Sequence, residues 1–492
     1  MKTVAIIGAG IGGLATAIRL VAKGYLVDVF EKESYPGGKL AELRVGGFRF
    51  DLGPSLFTHP ERVDDLFRLL GEDSADYFQY NRLSTLCRYF WPDGTQLNAP
   101  ANPKEFAYES RRALNVDTAS ISEYLLAAGK LYTLASPVFF DQPFPSVKAL
   151  MSPAGRLLIK NFISLDPLFS LHQRSMLAFK DPKMAQLFDR YAAIFGSNPF
   201  RAPAALKIAA HLQHHSGLFF PEDGMYSIAR QLADLALRHG VRFHYNSLIQ
   251  RVNRNIEGNH ITGVRLLGRN LDYDLVVSDI DINSFYRHGM VDYRSPLPGR
   301  LQRAETSAII FYWGISGVHV GLDLHNVLFA ANPEEEYRYL YKLKKICPDP
   351  TLDLYISSKS VPKDAPAGYE NWIIMVNTPA DIGQNWDQGI TRLREIVLKK
   401  INDLLGIDLN GKIVFEHIDS PPTIARRTGS WRGALYGSTY NSRISAFIRH
   451  PNRRSKINGL YFTGGSVHPG GGIPLCLASA KIVADLIEEK EG

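Results

Sequence analysis

Cysteine is scarce in this chain: Cys87, Cys347 and Cys476 are the only three among 492 residues. They lie far apart, in neither a metal-ligand nor a C-x-x-C spacing. That speaks against a disulfide framework or a zinc site and for a reducing compartment. No run reaches about 18 uninterrupted apolar residues, so a membrane-spanning helix is not expected. Internal repeats and low-complexity tracts are missing too. Nothing resembles a DNA- or RNA-reading motif, so nucleic acid is not an expected partner. "MKTVAIIGAG" runs straight into a strand and a turn, which leaves no signal peptide to expect. Acidic residues are absent between Arg426 and Lys456, where Arg426, Arg427, Arg432, Arg443, Arg449, Arg453, Arg454 and Lys456 collect. Such a stretch is either a solvated basic face or a contact with phosphate, of a cofactor or of a membrane.

What is present is the composition of an ordinary globular protein, 45% hydrophobic and 21% charged with a net charge of +7. The length allows two or more domains with a sizeable core. Residues 3–7, "TVAII", predict a buried parallel strand, followed by a turn, a helix over 12–23 and a second strand, "YLVDVF", over 25–30. This is a βαβ opening. Short strands are expected around "GGFRFDLG". A helix is expected in "PEDGMYSIARQLADLALRHG", with apolar residues at 225, 228, 232, 235 and 236, and another buried strand in "DLVVSDID" (274–281). "SAIIFYWGI", "TLDLYISS" and "NWIIMVNTP" predict a broad sheet between 305 and 440. "GLYFTGGS" predicts a strand that enters a second glycine run, and "LCLASAKIVADLIEEK" a closing helix.

The first glycine run is Gly8-x-Gly10-x-x-Gly13, placed between a strand and a helix. Gly8 permits the tight turn, Gly10 lets backbone approach a pyrophosphate, and Gly13 allows close helix–strand packing. The helix N-terminus then offers N–H groups and a positive dipole end to phosphate. Glu31, ending the second strand, can accept hydrogen bonds from ribose hydroxyls and would repel a 2′-phosphate, which disfavours NADP. Gly37-Gly38-Lys39 follows six residues later, an extension that a plain NAD dehydrogenase does not need.

That E-x5-G-G-[RK] pattern resembles the extended dinucleotide motif of the FAD-dependent amine oxidase and carotenoid desaturase superfamily. "HYNSLIQRV" (244–252) resembles its adenine-contacting strand pair, with Leu248 carried over through its backbone. "GLYFTGGSVHPGGGIP" resembles its C-terminal FAD motif. The resemblance implies FAD held by Gly8, Gly10, Ile11, Gly12, Gly13, Glu31, Lys32, Gly37, Gly38, Lys39, Gly53, Pro54, Ser55, Leu248, Gly464, Gly465, Gly472 and Ile473, with no metal. Lys39 would lie near the phosphates and Gly470 to Gly472 near the isoalloxazine ring, where a side chain would not fit. One departure stands out. Many such flavoproteins place an aspartate after the glycine of that last strand, where this chain has Ser466. Which group holds the ribityl hydroxyls is therefore open.

"GFRFDLGPSLFT" (47–58), "NPFRAP" (198–203), "FFPEDGMYSIARQLA" (219–233) and "VHPGGGIP" (467–474), in that order, resemble the bacterial phytoene desaturase family. "DLGPSLFT" with "YFWPDGTQLNA" (89–99) is more similar to the 1-hydroxycarotenoid 3,4-desaturases. The resemblance implies an α/β fold, with a Rossmann-like three-layer FAD domain of the glutathione reductase type and an inserted mixed-sheet substrate domain. Residues 1–76, 220–284 and 440–492 would bind FAD, and 77–130, 171–219 and 285–439 the substrate. The implied activity is desaturation of an acyclic carotenoid, with phytoene desaturation as an alternative.

A flavin amine oxidase of the same fold would use an aromatic cage, for which Trp431 and Tyr436 are candidates. A non-catalytic prenyl-lipid carrier like the Rab GDP-dissociation inhibitors would need no flavin. For a catalytic base the candidates are His468, Arg201 and Asp166. His468 is either catalytic or fixed by backbone hydrogen bonds, Asp166 is otherwise a helix cap, and Arg201 otherwise one half of a structural ion pair.

Residues 131–170 are the most apolar long stretch outside strands and cofactor motifs. Ser152-Pro153 can start a helix there. Ala154, Leu157, Leu158, Phe162 and Leu165 would share one face, flanked by Arg156 and Lys160. That face suits either a helix lying in a membrane interface or a helix capping the substrate-domain core. The first option makes the protein cytoplasmic and peripheral on the membrane surface. The oligomeric state is open.

Overall fold

The computed structural model describes residues 1–144, 146–255, 257, 259–293, 306–437, 441, 449–454 and 456–491. Arg443, one of the basic residues of the 426–456 stretch, lies outside them. The chain opens as its hydrophobic pattern predicts, with strand β1 (Thr3–Ile7), helix α1 (Ile11–Ala22) and strand β2 (Leu26–Phe30). These strands join 242–244, 275–278 and 460–462 in a five-stranded sheet ordered 460–462, 275–278, β1, β2, 242–244. Every pairing in it is parallel.

Side-chain alternation sorts this sheet's faces. Val4, Ile6, Val27, Val29 and Val277 pack with α1 and the helices Tyr226–Arg238 and Ile473–Glu491. Ala5, Ile7, Phe30 and Val276 face the other way, onto Val252, Ile261 and Val264 of a three-stranded antiparallel sheet over 249–272. Helices, parallel sheet and small antiparallel sheet make three layers.

Strand register aligns one edge of the parallel sheet. Ile7 lies opposite Phe30 on one side and Ser278 on the other, and Ser278 lies opposite Phe462. The next residue of each strand therefore leaves the sheet at one level, at its carboxyl edge, where α/β proteins bind ligands. Those residues are Gly8, Glu31, Asp279 and Thr463.

A seven-stranded mixed sheet holds the three long apolar runs. Ile309, Phe311, Trp313, Ile374 and Val376 pack from it onto Leu393, Val397 and Ile401 of the helix Trp386–Leu405. The hairpin 42–51 is fixed through Arg49 to the link between two strands of this sheet, 352–356 and 369–379. The Arg49 guanidinium donates to Asp364 twice, at 2.7 Å each, and to Asp51 at 2.7 Å. All three side chains are almost fully buried.

Two expectations about the apolar segment need correction. A single helix, Thr118–Phe139, runs across residue 131, so the segment begins inside an element. Ser152 does cap a helix, accepting from the Gly155 N–H at 3.0 Å, but that helix ends at Lys160 and a 3-10 turn covers 162–165. The expected single face splits in consequence. Leu158 and Leu165 turn into a small core with Leu131 and Val138, while Leu157 and Phe162 are exposed. No helix among the described residues is long and apolar enough to cross a membrane.

Arg49→Met would leave Asp51 and Asp364 buried without their cation, a loss on the order of 3–5 kcal/mol. Urea or thermal unfolding should show a clearly lowered midpoint, and an unchanged midpoint would contradict the role of Arg49 in fixing the hairpin to the seven-stranded sheet.

Candidate functional site

The site forms where the parallel sheet ends. Gly10 is the extended residue before α1 and has no side chain with which to cap that helix. The first turn therefore leaves its N–H groups, and the positive end of the helix dipole, to acceptors from other elements. Glu31 is buried beside them. Its carboxylate accepts from the Ala9 N–H at 2.8 Å and from the Glu33 N–H at 3.0 Å. Gly37 folds back on the same turn, its N–H donating to the Ala9 carbonyl at 2.7 Å.

The second glycine run meets the first. A Cβ on Gly12 would lie 2.7 Å from both the N and the Cα of Gly464, so only glycine lets α1 approach this closely. Thr463 binds the adjacent strand, its N–H donating to the Ser278 carbonyl at 3.0 Å. Gly472 has φ +109° and open space where a side chain would start, just before the helix that begins at Ile473. Lys39 reaches toward this end and donates to the carbonyls of Leu435 at 2.8 Å and Ala434 at 3.2 Å. Burial lowers its pKa, with Asp281 opposing.

Other implied residues fall at varying distances from this centre. Gly53 packs on the Lys39 carbonyl, and the next-but-one carbonyl, that of Ser55 beyond Pro54, accepts from His325 at 3.0 Å. Lys32 turns to the Arg426 carbonyl at 2.7 Å and to Glu33. Leu248 is 61% exposed, so it is no core leucine. Its neighbour Ser247 nonetheless binds the Glu31 carbonyl through its N–H at 2.7 Å, which keeps that backbone beside the site.

The candidate bases resolve differently. His468 is buried, and its Nε2 lies 2.9 Å from the Gln142 carbonyl, to which it donates. Its own N–H donates to the His450 carbonyl. Burial lowers it to about 4, against the pull of the Gln142 carbonyl, so it is neutral near pH 7 and anchors the turn. Asp166 caps no helix. It sits in a left-handed turn at φ +49° and pairs with Lys207 at 2.5 Å and Arg174 at 3.3 Å. Arg201 is exposed and forms no ion pair among the described residues. Of the two cage candidates, Trp431 lies under the Arg287 guanidinium at 4.4 Å, and Tyr436 lies against Gly196.

Asp279 was not singled out in the sequence. Its carboxylate lies between the two glycine runs and accepts from the Gly13 N–H at 3.0 Å. Ser466 accepts from the Ile282 N–H at 2.9 Å. The available signal was positional, since Asp279 directly follows a strand of the parallel sheet. A half-buried cation completes the surroundings. Arg427 binds Asp419 and the Leu52 carbonyl, and its Nε and Nη1 have no partner among the described residues. A helix N-terminus already holding an anionic oxygen, unspent guanidinium donors and open space at Gly472 all fit an anionic dinucleotide carrying a flat ring.

Comparison with known proteins agrees. The family model for flavin-containing amine oxidoreductases matches residues 11–488. Over 487 residues the chain is 41% identical to a 1-hydroxycarotenoid 3,4-desaturase from a Flavobacterium species, covering 99% of each chain. It is 29% identical to a 4,4′-diaponeurosporene oxygenase from Staphylococcus haemolyticus, over 100% of this chain and 98% of that one. A putrescine oxidase structure with putrescine bound has a similar fold, with TM-score 0.63 at 15% identity over 99% of both chains.

Gly12→Ala should force the two glycine runs apart at a cost of about 1–3 kcal/mol. The purified variant should retain far less flavin, read as absorbance near 450 nm against protein absorbance at about 280 nm. Wild-type flavin content would contradict the close approach of Gly12 and Gly464.

Proposed function

The chain belongs to the flavin-containing amine oxidoreductase family with FAD as its cofactor, and we propose that it desaturates an acyclic carotenoid, adding the 3,4 double bond to a 1-hydroxylated one. The observation that carries this reading is an exposed apolar patch tied directly to the late glycine turn. Met151, Leu157, Ile159, Phe162 and Leu168 are each more than half exposed, and the basic Arg156 and Lys160 are exposed among them. Such a surface suits a membrane interface, with apolar side chains below the headgroups and cations at their level. Gln142, at the near end of the same segment, accepts the His468 hydrogen bond, and Phe144 lies 6.1 Å from the His468 ring. An amine substrate would need no such patch.

In this proposal residues 1–76, 220–284 and 440–492 bind the cofactor, and the remaining segments take up the substrate. The first-turn N–H groups of α1 and Arg427 would hold the diphosphate, Glu31 the ribose, and the turn 470–472 the ring end. When bound, FAD supplies the two-electron acceptor. The polyene spreads positive charge from an allylic carbon over many atoms, so the protein needs neither a strong acid nor a strong base beside it. Its task is orientation and exclusion of water. Phe139, Phe144 and the buried, neutral His468 give the glycine turn an apolar wall suited to that task. The same segment would bring the carotenoid from the bilayer to the turn. The protein is thus peripheral on the cytoplasmic membrane face.

FAD-loaded enzyme in liposomes should be offered 1-hydroxylated acyclic carotenoid, its non-hydroxylated counterpart and phytoene in parallel. The first should give a product with a lengthened polyene and a red-shifted spectrum. Conversion of phytoene alone would overturn the 3,4-assignment. Replacing Leu157, Phe162 and Leu168 together with glutamate removes three apolar anchors, each worth on the order of 1.5–3 kcal/mol when buried. Liposome co-sedimentation should fall at least tenfold, and unchanged binding would refute the membrane surface.

A further inference from the structure

Asp279 is an acid in a place built for an anion. Its carboxylate accepts from the Gly13 N–H, and a Cβ added to Gly10, Gly12 or Gly464 would strike one of its oxygens. It therefore fills the gap at the N-terminus of α1 that the cofactor's diphosphate needs. Two full negative charges cannot share that buried space without a cation between them.

Of the charged groups around Asp279, Lys39 is the cation that pulls its carboxyl down, and burial outweighs that pull. Glu31, from the end of β2, adds negative charge, and Lys39 spends its ammonium hydrogens on the carbonyls of Ala434 and Leu435. Cys476, from the helix Ile473–Glu491, is pushed up to about 12 by burial, so it stays an uncharged thiol. Asp281, two residues on, acts on Lys39 as an opposing charge, and Arg427 as a like one.

We propose that Asp279 closes the diphosphate cradle as a carboxylate in the empty protein, and that FAD binds with Asp279 as the neutral acid, so that loading the cofactor takes up one proton. The proton comes from solvent and no covalent bond forms. A protonated carboxyl still accepts from the Gly13 N–H through one oxygen and gains one O–H donor, which a phosphate oxygen can accept. Asp279 thereby changes from a competitor of the diphosphate into a ligand for it. Burial above all, with Glu31 adding to it, pushes the group up to about 7 in the empty protein, so the exchange falls near neutral pH.

Linkage gives the sign. Below about pH 7 the empty protein already carries the proton and affinity is flat. Above it, each molecule of FAD bound must draw a proton, and affinity falls with rising pH. This rests on FAD as the cofactor and on its diphosphate lying at the N-terminus of α1, and is independent of which carotenoid is the substrate.

The test is FAD binding to apo-protein, monitored by quenching of flavin fluorescence from about pH 6 to about pH 9. For the wild type, Kd should be constant at the acid end and then rise up to tenfold per pH unit. Asp279→Asn keeps the acceptor for Gly13 and removes the titration, so its Kd should be flat and at least tenfold lower than wild type at about pH 8.5. In weak buffer near pH 8, wild type should take up close to one proton per FAD and the variant none. A flat wild-type profile, or the same slope in Asp279→Asn, would overturn the proposal. The latter result would assign the titration to Lys39. Gly12→Ala reports on the cradle itself: if it binds FAD as wild type does at every pH, the diphosphate lies elsewhere and that assignment fails instead.

Discussion

The contact on which the rest depends is backbone on backbone, Gly12 against Gly464. It brings the first helix of the chain against the turn that leads into the last. The parallel sheet makes the contact possible by ending β1, β2 and the strands 275–278 and 460–462 at one level. Four chain segments distant in sequence then release Gly8, Glu31, Asp279 and Thr463 side by side. An anion-binding helix end, a carboxylate suited to ribose and an open turn suited to a flat ring all arise from that single alignment.

The same geometry explains the separation of two environments. The edge at α1 is polar, with backbone N–H groups and a half-buried arginine. The late glycine turn carries a histidine held neutral by burial, with Phe144 beside it and Phe139 on Phe144. The hydrogen bond from His468 to the Gln142 carbonyl ties that turn to the segment bearing the exposed apolar side chains.

Much of this was legible in the residues because it depends on local constraints. Short apolar runs and a 3.6-residue period predicted β1, α1 and β2 to within a residue, and the helix Tyr226–Arg238 inside the stretch expected for it. Glycines at 8, 10, 12 and 13 and at 464 and 465 announced close backbone contacts. Three-dimensional choices were not legible. Nothing local shows that Leu158 turns inward while Leu157 turns out, or that Asp166 meets Lys207 rather than a helix end. Asp279 was hidden for a similar reason. In "VVSDID" it looks like the polar end of a strand, and only the register with β1 puts it in the cradle.

The central claim is that this flavoprotein oxidises a polyene drawn from a membrane. The most direct measurement is a single anaerobic turnover of FAD-loaded enzyme in liposomes carrying a 1-hydroxylated acyclic carotenoid. The expected result is bleaching of the flavin band near 450 nm together with a red shift of the carotenoid spectrum, and no bleaching by putrescine. A flavin that keeps its colour with the carotenoid and loses it with the amine would contradict the claim.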